Sequence, residues 1–292
     1  MLLVSMSVNL FGNVFKKYIN DKYQNNMFSY QFYNAVVSFS ALIVLLIMSD
    51  EISFSLFTFL LSLVFGAVTL IQQISNLYAL ETGSFAYTSV IISLSTLIPT
   101  LSGKYFWNES ISLVQYLGIA LLVVCFFFSV NFKENTAKGG VKWLMFCLTA
   151  FICTGSIGVL QKIHQQSVFS NELNGFLILS FLFSFISSTV ISLVTFFRNK
   201  EKFDRDSKNT ILQFLPFLLM VISGVFVAVN NKFNLYLSGV MDSAIFFPTV
   251  NGGGLVLSTI ASFLLFKEKL TQKQWLGILI GIISVVLICT PI

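Results

Sequence analysis

The side chains of this chain that could do chemistry are amides and hydroxyls, not acids, thiols or imidazoles. Two trios stand out, Gln72, Gln73 and Asn76, then Asn230, Asn231 and Asn234. At the helical repeat each trio falls within an arc of about 100°. A carboxamide donates and accepts at once, so such a face can read several groups of a polar small molecule. Ser5, Asn9, Asn13 and Lys16 form another stripe, at spacings of four, four and three, and Thr154, Gly158, Gln161 and Gln165 form a similar one. Asn251 lies between Pro248 and the run Gly252, Gly253, Gly254. Proline frees a carbonyl and glycine weakens a helix, so this stretch is expected either to unwind toward a ligand or to pack closely on its small residues. Its counterpart, Ser93, Ser95 and Thr96 with Pro99, is polar but lacks the glycines. Tyr78, Tyr87 and Tyr236 could cap or stack on a ligand. The residues expected to touch substrate are therefore Asn9, Asn13, Gln72, Gln73, Asn76, Tyr78, Tyr87, Asn230, Asn231, Asn234 and Asn251. The competing reading is interhelical hydrogen bonding, worth about 0.6–2 kcal/mol per amide in a membrane.

Other chemistries find no residues to use. His164 is the single histidine, and Cys125, Cys147, Cys153 and Cys289 form no CxxC pair. No catalytic residue, metal or cofactor is expected. The 12 acidic residues all fall in loops or at helix ends. A proton relay or a counter-ion for a cation would need a carboxylate within a span. The substrate is accordingly expected to be neutral or zwitterionic. Lys16, Lys162 and Lys232 sit near segment ends and are read as anchors that snorkel to the interface; Lys232 could instead pair with a substrate carboxylate.

The elements that would position these groups are apolar throughout. The chain has 292 residues, 56% hydrophobic and 10% charged, against about 25% charged in soluble domains. Ten apolar segments lie at about 2–18, 28–48, 54–80, 84–106, 112–130, 140–163, 173–197, 211–237, 243–266 and 274–290. Each is near the roughly 20 residues a helix needs to cross the hydrocarbon layer. Unpaired backbone is costly in lipid, so helices are expected, with the bilayer as the chain's medium. Trp107, Trp143 and Trp275 lie at segment ends, as an interfacial belt requires. The opening MLLVSMSVNLFGN lacks a basic region and is read as a first span. The net charge of +5 sits in short loops, so no nucleic-acid partner is inferred. Of 17 lysines and arginines, 14 fall in loops on one side, which puts that side in the cytoplasm and both termini outside a plasma membrane.

The chain also repeats. Asn76, Leu77, Tyr78 and Ala86 recur as Asn234, Leu235, Tyr236 and Ala244, an offset of 158. Glu109, Gln115, Leu117, Gly118 and Ile119 recur as Glu268, Gln274, Leu276, Gly277 and Ile278, an offset of 159. Five spans is an odd number, so the second copy enters from the opposite side. The expected organisation is a first repeat over 1–130, a connecting loop over 131–142 and an inverted second repeat over 143–292. In such folds substrate binds near the midplane, where the repeats meet.

The stretches NLYALETGSFAYTSVIISLSTLIPTL, QYLGIALLVV and FLLFKEKLTQKQWLGILIGIISVVL resemble the drug/metabolite transporter superfamily, in its ten-helix EamA-like branch. The resemblance implies an all-α integral membrane fold of ten transmembrane helices, two inverted five-helix repeats around a central cavity. It implies transport of a small metabolite, often export, by alternating access of the repeats. Read with the missing carboxylates, it points to a polar metabolite such as an amino acid, moved without a buried proton relay. The alternatives are a flippase for a lipid-linked metabolite and a transporter of quaternary amines or drug-like cations. A functional monomer is possible. Family members usually keep both termini in the cytoplasm, and here the loop charges place them outside.

Overall fold

The computed structural model describes residues 1–23, 27–83, 85–129, 140–198, 213–266 and 271–290. Most of the expected connecting loop, Glu268 and the Asn13 side chain lie outside the described residues. Among those residues the regular structure is entirely helical. The helices are α1 (Leu2–Tyr23), α2 (Met27–Ile47), α3 (Leu56–Thr82), α4 (Phe85–Ser93), α5 (Leu97–Trp107), α6 (Leu113–Ser129), α7 (Val141–Gln165), α8 (Leu173–Arg198), α9 (Phe214–Val240), α10 (Ser243–Phe266) and α11 (Gln272–Ile288). Six stretches are long and apolar enough to cross a membrane: Met27–Ile47, Leu56–Thr82, Val141–Gln165, Ser170–Arg198, Phe214–Val240 and Ser243–Ala261. Shorter apolar helices cover Leu2–Lys16, Leu113–Phe128 and Gln272–Ile288. This is an α-helical membrane protein.

The fourth apolar segment is broken. α4 passes into a 3₁₀ turn, Leu94–Thr96, before α5 begins. Pro99 explains the break. It has no N–H to give the carbonyl of Ser95, four residues back, and its ring crowds that carbonyl. The Pro248 stretch behaves differently. α10 runs unbroken through Pro248 and the three glycines. Pro248 falls early in α10, just past the first turn, so the only intrahelical bond it removes is the one to the carbonyl of Ala244. The glycines serve close packing: all three are buried, and a Cβ on Gly252 would collide with Leu122 of α6. Packing, not unwinding, is the outcome at this stretch.

The chain forms two compact units, each drawing on both halves of the sequence. The first holds Leu3–Leu70 and Val168–Asn234. Here α2 lies antiparallel along α8, with Phe28 on Phe196 at 5.9 Å and Phe39 on Phe185 at 5.1 Å between ring centres. Gly224 of α9 lets that helix close on Val37 and Ser40 of α2. Ile19, Tyr23, Tyr33, Val37 and Met220 form the apolar centre. Glu172 caps the start of α3, accepting from Ser55 N at 2.8 Å, Ser55 Oγ at 2.9 Å and Thr58 Oγ1. Lys232 donates to the Met48 carbonyl at 3.0 Å, just past the end of α2, where a cation meets the negative end of the helix.

The second unit holds Ile71–Ser167 and Leu235–Ile292. α6 and α11 pack closely: Ser284 Oγ donates to the Gly118 carbonyl at 2.7 Å, and a Cβ on Gly118 would press on Ile288. α7 approaches α5 through Gly155, against Ile98, and Gly158, against Pro99. Trp143 Nε1 donates to Thr88 Oγ1 at 2.9 Å, tying α7 to α4.

Candidate polar pocket and the ion pair beside it

The break before Pro99 has a use. It presents Ser93, Ser95 and Thr96 to a cavity of about 210 Å³ in the second unit, closed by Phe126 of α6, Thr154 of α7 and Asn251 of α10. Asn251 Nδ2 donates to Thr96 Oγ1 at 2.8 Å. That bond fixes the amide through its nitrogen and leaves its carbonyl oxygen able to accept. Thr154 Oγ1 donates to the carbonyl of Ala150 at 2.7 Å and keeps its lone pairs. The hydroxyls of Ser93 and Ser95 make no hydrogen bond among the described residues. With Ile92, Phe126 and Leu255 completing it, the pocket has a wall that is in the main apolar and carries no charge, and set in it are several hydroxyls and one amide. Its volume lies below the roughly 300–1,000 Å³ of drug-sized pockets and suits a compact solute. The polar stretch around Ser93 and the Pro248–Gly254 stretch, matched in the repeat, thus meet in one cavity.

The amide trios fall in different compact units. In the first, Ser5 Oγ lies 2.6 Å from Asn234 Oδ1 and 3.3 Å from Asn230 Oδ1, so it donates to the nearer. Asn231 Nδ2 turns back to the carbonyl of Val227 on its own helix at 2.9 Å. Asn9 is half-buried on α1. In the second unit Gln72, Gln73 and Asn76 are half-buried on α3. Tyr78 stacks on Phe146 with ring centres 5.2 Å apart, while Tyr87 and Tyr236 are exposed.

Lys162 requires a correction. The position near a helix end suggested a snorkelling anchor, but the side chain is 2% exposed. Its Nζ lies 2.8 Å from Glu109 Oε1 and donates to the Met241 carbonyl at 2.8 Å. Glu109 Oε2 in turn accepts from Ser243 N, the first residue of α10, at 2.7 Å. The local chain explains the placement. Asn108 closes α5 with a left-handed φ of 52°, which turns Glu109 back over Gly103. No larger residue fits at Gly103, since its Cβ would strike the carboxylate and Ser243. The carboxylate then meets both a lysine and the positive end of α10. One ion pair and one cap join the ends of α5, α7, α9 and α10.

Sequence reasoning also passed over α2. Gln31, Asn34, Ser38 and Tyr33 are all buried there, and the signal was the run Ser-Tyr-Gln-Phe-Tyr-Asn inside an apolar segment. Among the described residues no group of three or more His, Cys, Asp or Glu is placed to hold a metal.

Three comparisons bear on this geometry. The family model described as "Sugar transport protein" matches residues 11–292. No curated protein matches the chain. A solved structure, described only as a crystal structure of a protein, superposes with a TM-score of 0.71 at 10% identity, covering 98% of this chain and 96% of its own. At that identity it shows a shared fold alone.

Proposed function

The chain belongs to the sugar transport protein family, a family of membrane transporters, and from that premise we propose that it carries a small neutral polyhydroxylated solute, a sugar or polyol. The observation that carries the substrate class is the uncharged pocket of Ser93, Ser95, Thr96 and Asn251. Hydroxyls and a fixed amide oxygen match a ligand whose groups are hydroxyls, each donating and accepting. A free amino acid would bring two full charges to a wall that offers neither partner, and buried charge without a partner is costly. Lys162 and Glu109 satisfy each other and cannot serve it.

We further propose the ten-helix, inverted-repeat arrangement of the EamA-like branch, with alternating access of the repeats. Its support is the way repeat-related helices pair, α2 with α8 in one unit and α6 with α11 in the other. On this reading Asn9, Asn13, Gln72, Gln73, Asn76, Tyr78, Tyr87, Asn230, Asn231 and Asn234 contribute to the solute's path, and Asn251 to its binding.

The test is counterflow uptake in proteoliposomes holding the purified protein. Hexoses, pentoses and polyols are compared with amino acids and quaternary amines. The expected result is uptake of one sugar or polyol class, reduced at least tenfold by Asn251→Ala and by Ser95→Ala. Uptake of amino acids or amines alone, or variants that transport normally, would overturn the reading.

A further inference from the structure

The first unit carries a second cavity with the opposite chemistry. It is a groove of about 600 Å³ between α2, α8 and α9, walled by Phe28, Phe32, Phe39, Phe185, Phe196 and Phe217. It opens to the outside of its unit: Phe39, Ile43, Leu193 and Val225 on its margin are exposed. All three helices are long and apolar enough to cross a membrane, and the side chains at its mouth are apolar, as a lipid-facing surface requires. Nothing in the transport reading uses it.

We propose that this groove binds a single hydrocarbon chain of a bilayer lipid. The argument is its shape. The lining runs from Phe28 to Val44 on α2, from Phe185 to Phe196 on α8 and from Phe217 to Val225 on α9, which at 1.5 Å per residue are lengths of about 24, 16 and 12 Å. Spreading 600 Å³ over those lengths leaves a section of about 25–50 Å², roughly 6–8 Å across. That admits one extended chain whose carbons sit about 4 Å from the wall atoms. A second transmembrane helix, about 10–12 Å wide with its side chains, is too thick to enter. Even the longest wall is shorter than the roughly 30 Å of the hydrocarbon layer, so a chain lying along α2 stays within its own medium. Phenyl rings give a rigid wall with large apolar area, the lining that bound apolar ligands meet.

Thr189 supplies an internal control. Its Oγ1 is buried on the groove wall and has no hydrogen-bond partner. Thr69, Thr154, Thr195 and Thr259 each donate to the carbonyl four residues back, and Thr189 does not. A plain hydrocarbon chain gains nothing from this hydroxyl. An amphiphile with a polar group at this depth would bond to it.

Native mass spectrometry of the detergent-extracted protein, after reconstitution with phosphatidylcholine vesicles, reads the occupancy. Wild type is expected to retain one lipid per chain. Ile43→Trp with Val225→Trp fills the groove from two exposed positions, so the helix packing survives and melting checks that it does. This variant is expected to lose the lipid at least fivefold, and Thr189→Val to keep it. Equal retention by the filled variant would overturn the proposal. So would loss on Thr189→Val, which points to a polar amphiphile, or a dimer that the filled variant abolishes, which points to a second copy of the chain.

Discussion

Lys162 and Glu109 form a contact whose removal has a calculable cost. Lys162→Met strands a carboxylate that is nearly sealed from solvent and leaves the Met241 carbonyl without its donor. Breaking one side of a buried pair costs about 3–5 kcal/mol. We predict that Lys162→Met lowers stability by that amount. Adding Glu109→Gln should recover at least half of it, because a neutral amide oxygen still accepts from Ser243 N. Thermal unfolding in detergent measures both, and a single variant within 1 kcal/mol of wild type would contradict the prediction. This pair shows where residue-level reading fails. A lysine near a helix end has two homes, the interface or a protein partner, and the choice depends on a left-handed residue and a glycine in a different helix. The amides were more legible. Polar side chains in apolar segments stand out by type, and Asn251 is one that lines a cavity, but their partners, such as Ser5 for Asn234, come from distant helices.

At the scale of elements, prolines decide where the fourth segment breaks. At Pro248, with its glycines, the sequence leaves unwinding and close packing both open, yet α10 stays whole and Pro99 marks the interruption. Local sequence registers both prolines, and tertiary packing selects between them. Close contact on Gly252 holds α10 straight, while the missing donor at Pro99 leaves Ser95 free to turn. We predict that Pro99→Ala lets α4 and α5 run on as one helix and draws Ser95 out of the pocket. Sugar uptake should fall at least tenfold with melting temperature unchanged or raised, since alanine restores a helical donor. Full activity in this variant would mean that the break does not position the site. Gly118 lets α6 approach α11, and Gly277, which matches it in the sequence, is buried in α11.

For the whole molecule, hydropathy was a reliable guide to helices crossing a membrane. The six stretches long enough to span coincide with the second, third, sixth, seventh, eighth and ninth apolar segments. The compact units were not legible, because contacts assort helices from both sequence halves and no local pattern records that. Loop charge makes a prediction here. With 14 of 17 lysines and arginines on one side, tags at both termini should be accessible on intact cells. Tags accessible only after permeabilisation would show that the family's usual orientation prevails over the charges.

The ion pair also bears on how the chain is built. Lys162 leaves the ribosome 79 residues before Met241, the carbonyl it finally binds. At about 5–20 residues per second, that is a wait of roughly 4–16 s. During the interval Glu109, already synthesised, is the only one of its final partners in existence. Synthesis therefore brings the carboxylate and the lysine within reach of each other first, and the Met241 carbonyl and the start of α10 to both of them afterwards.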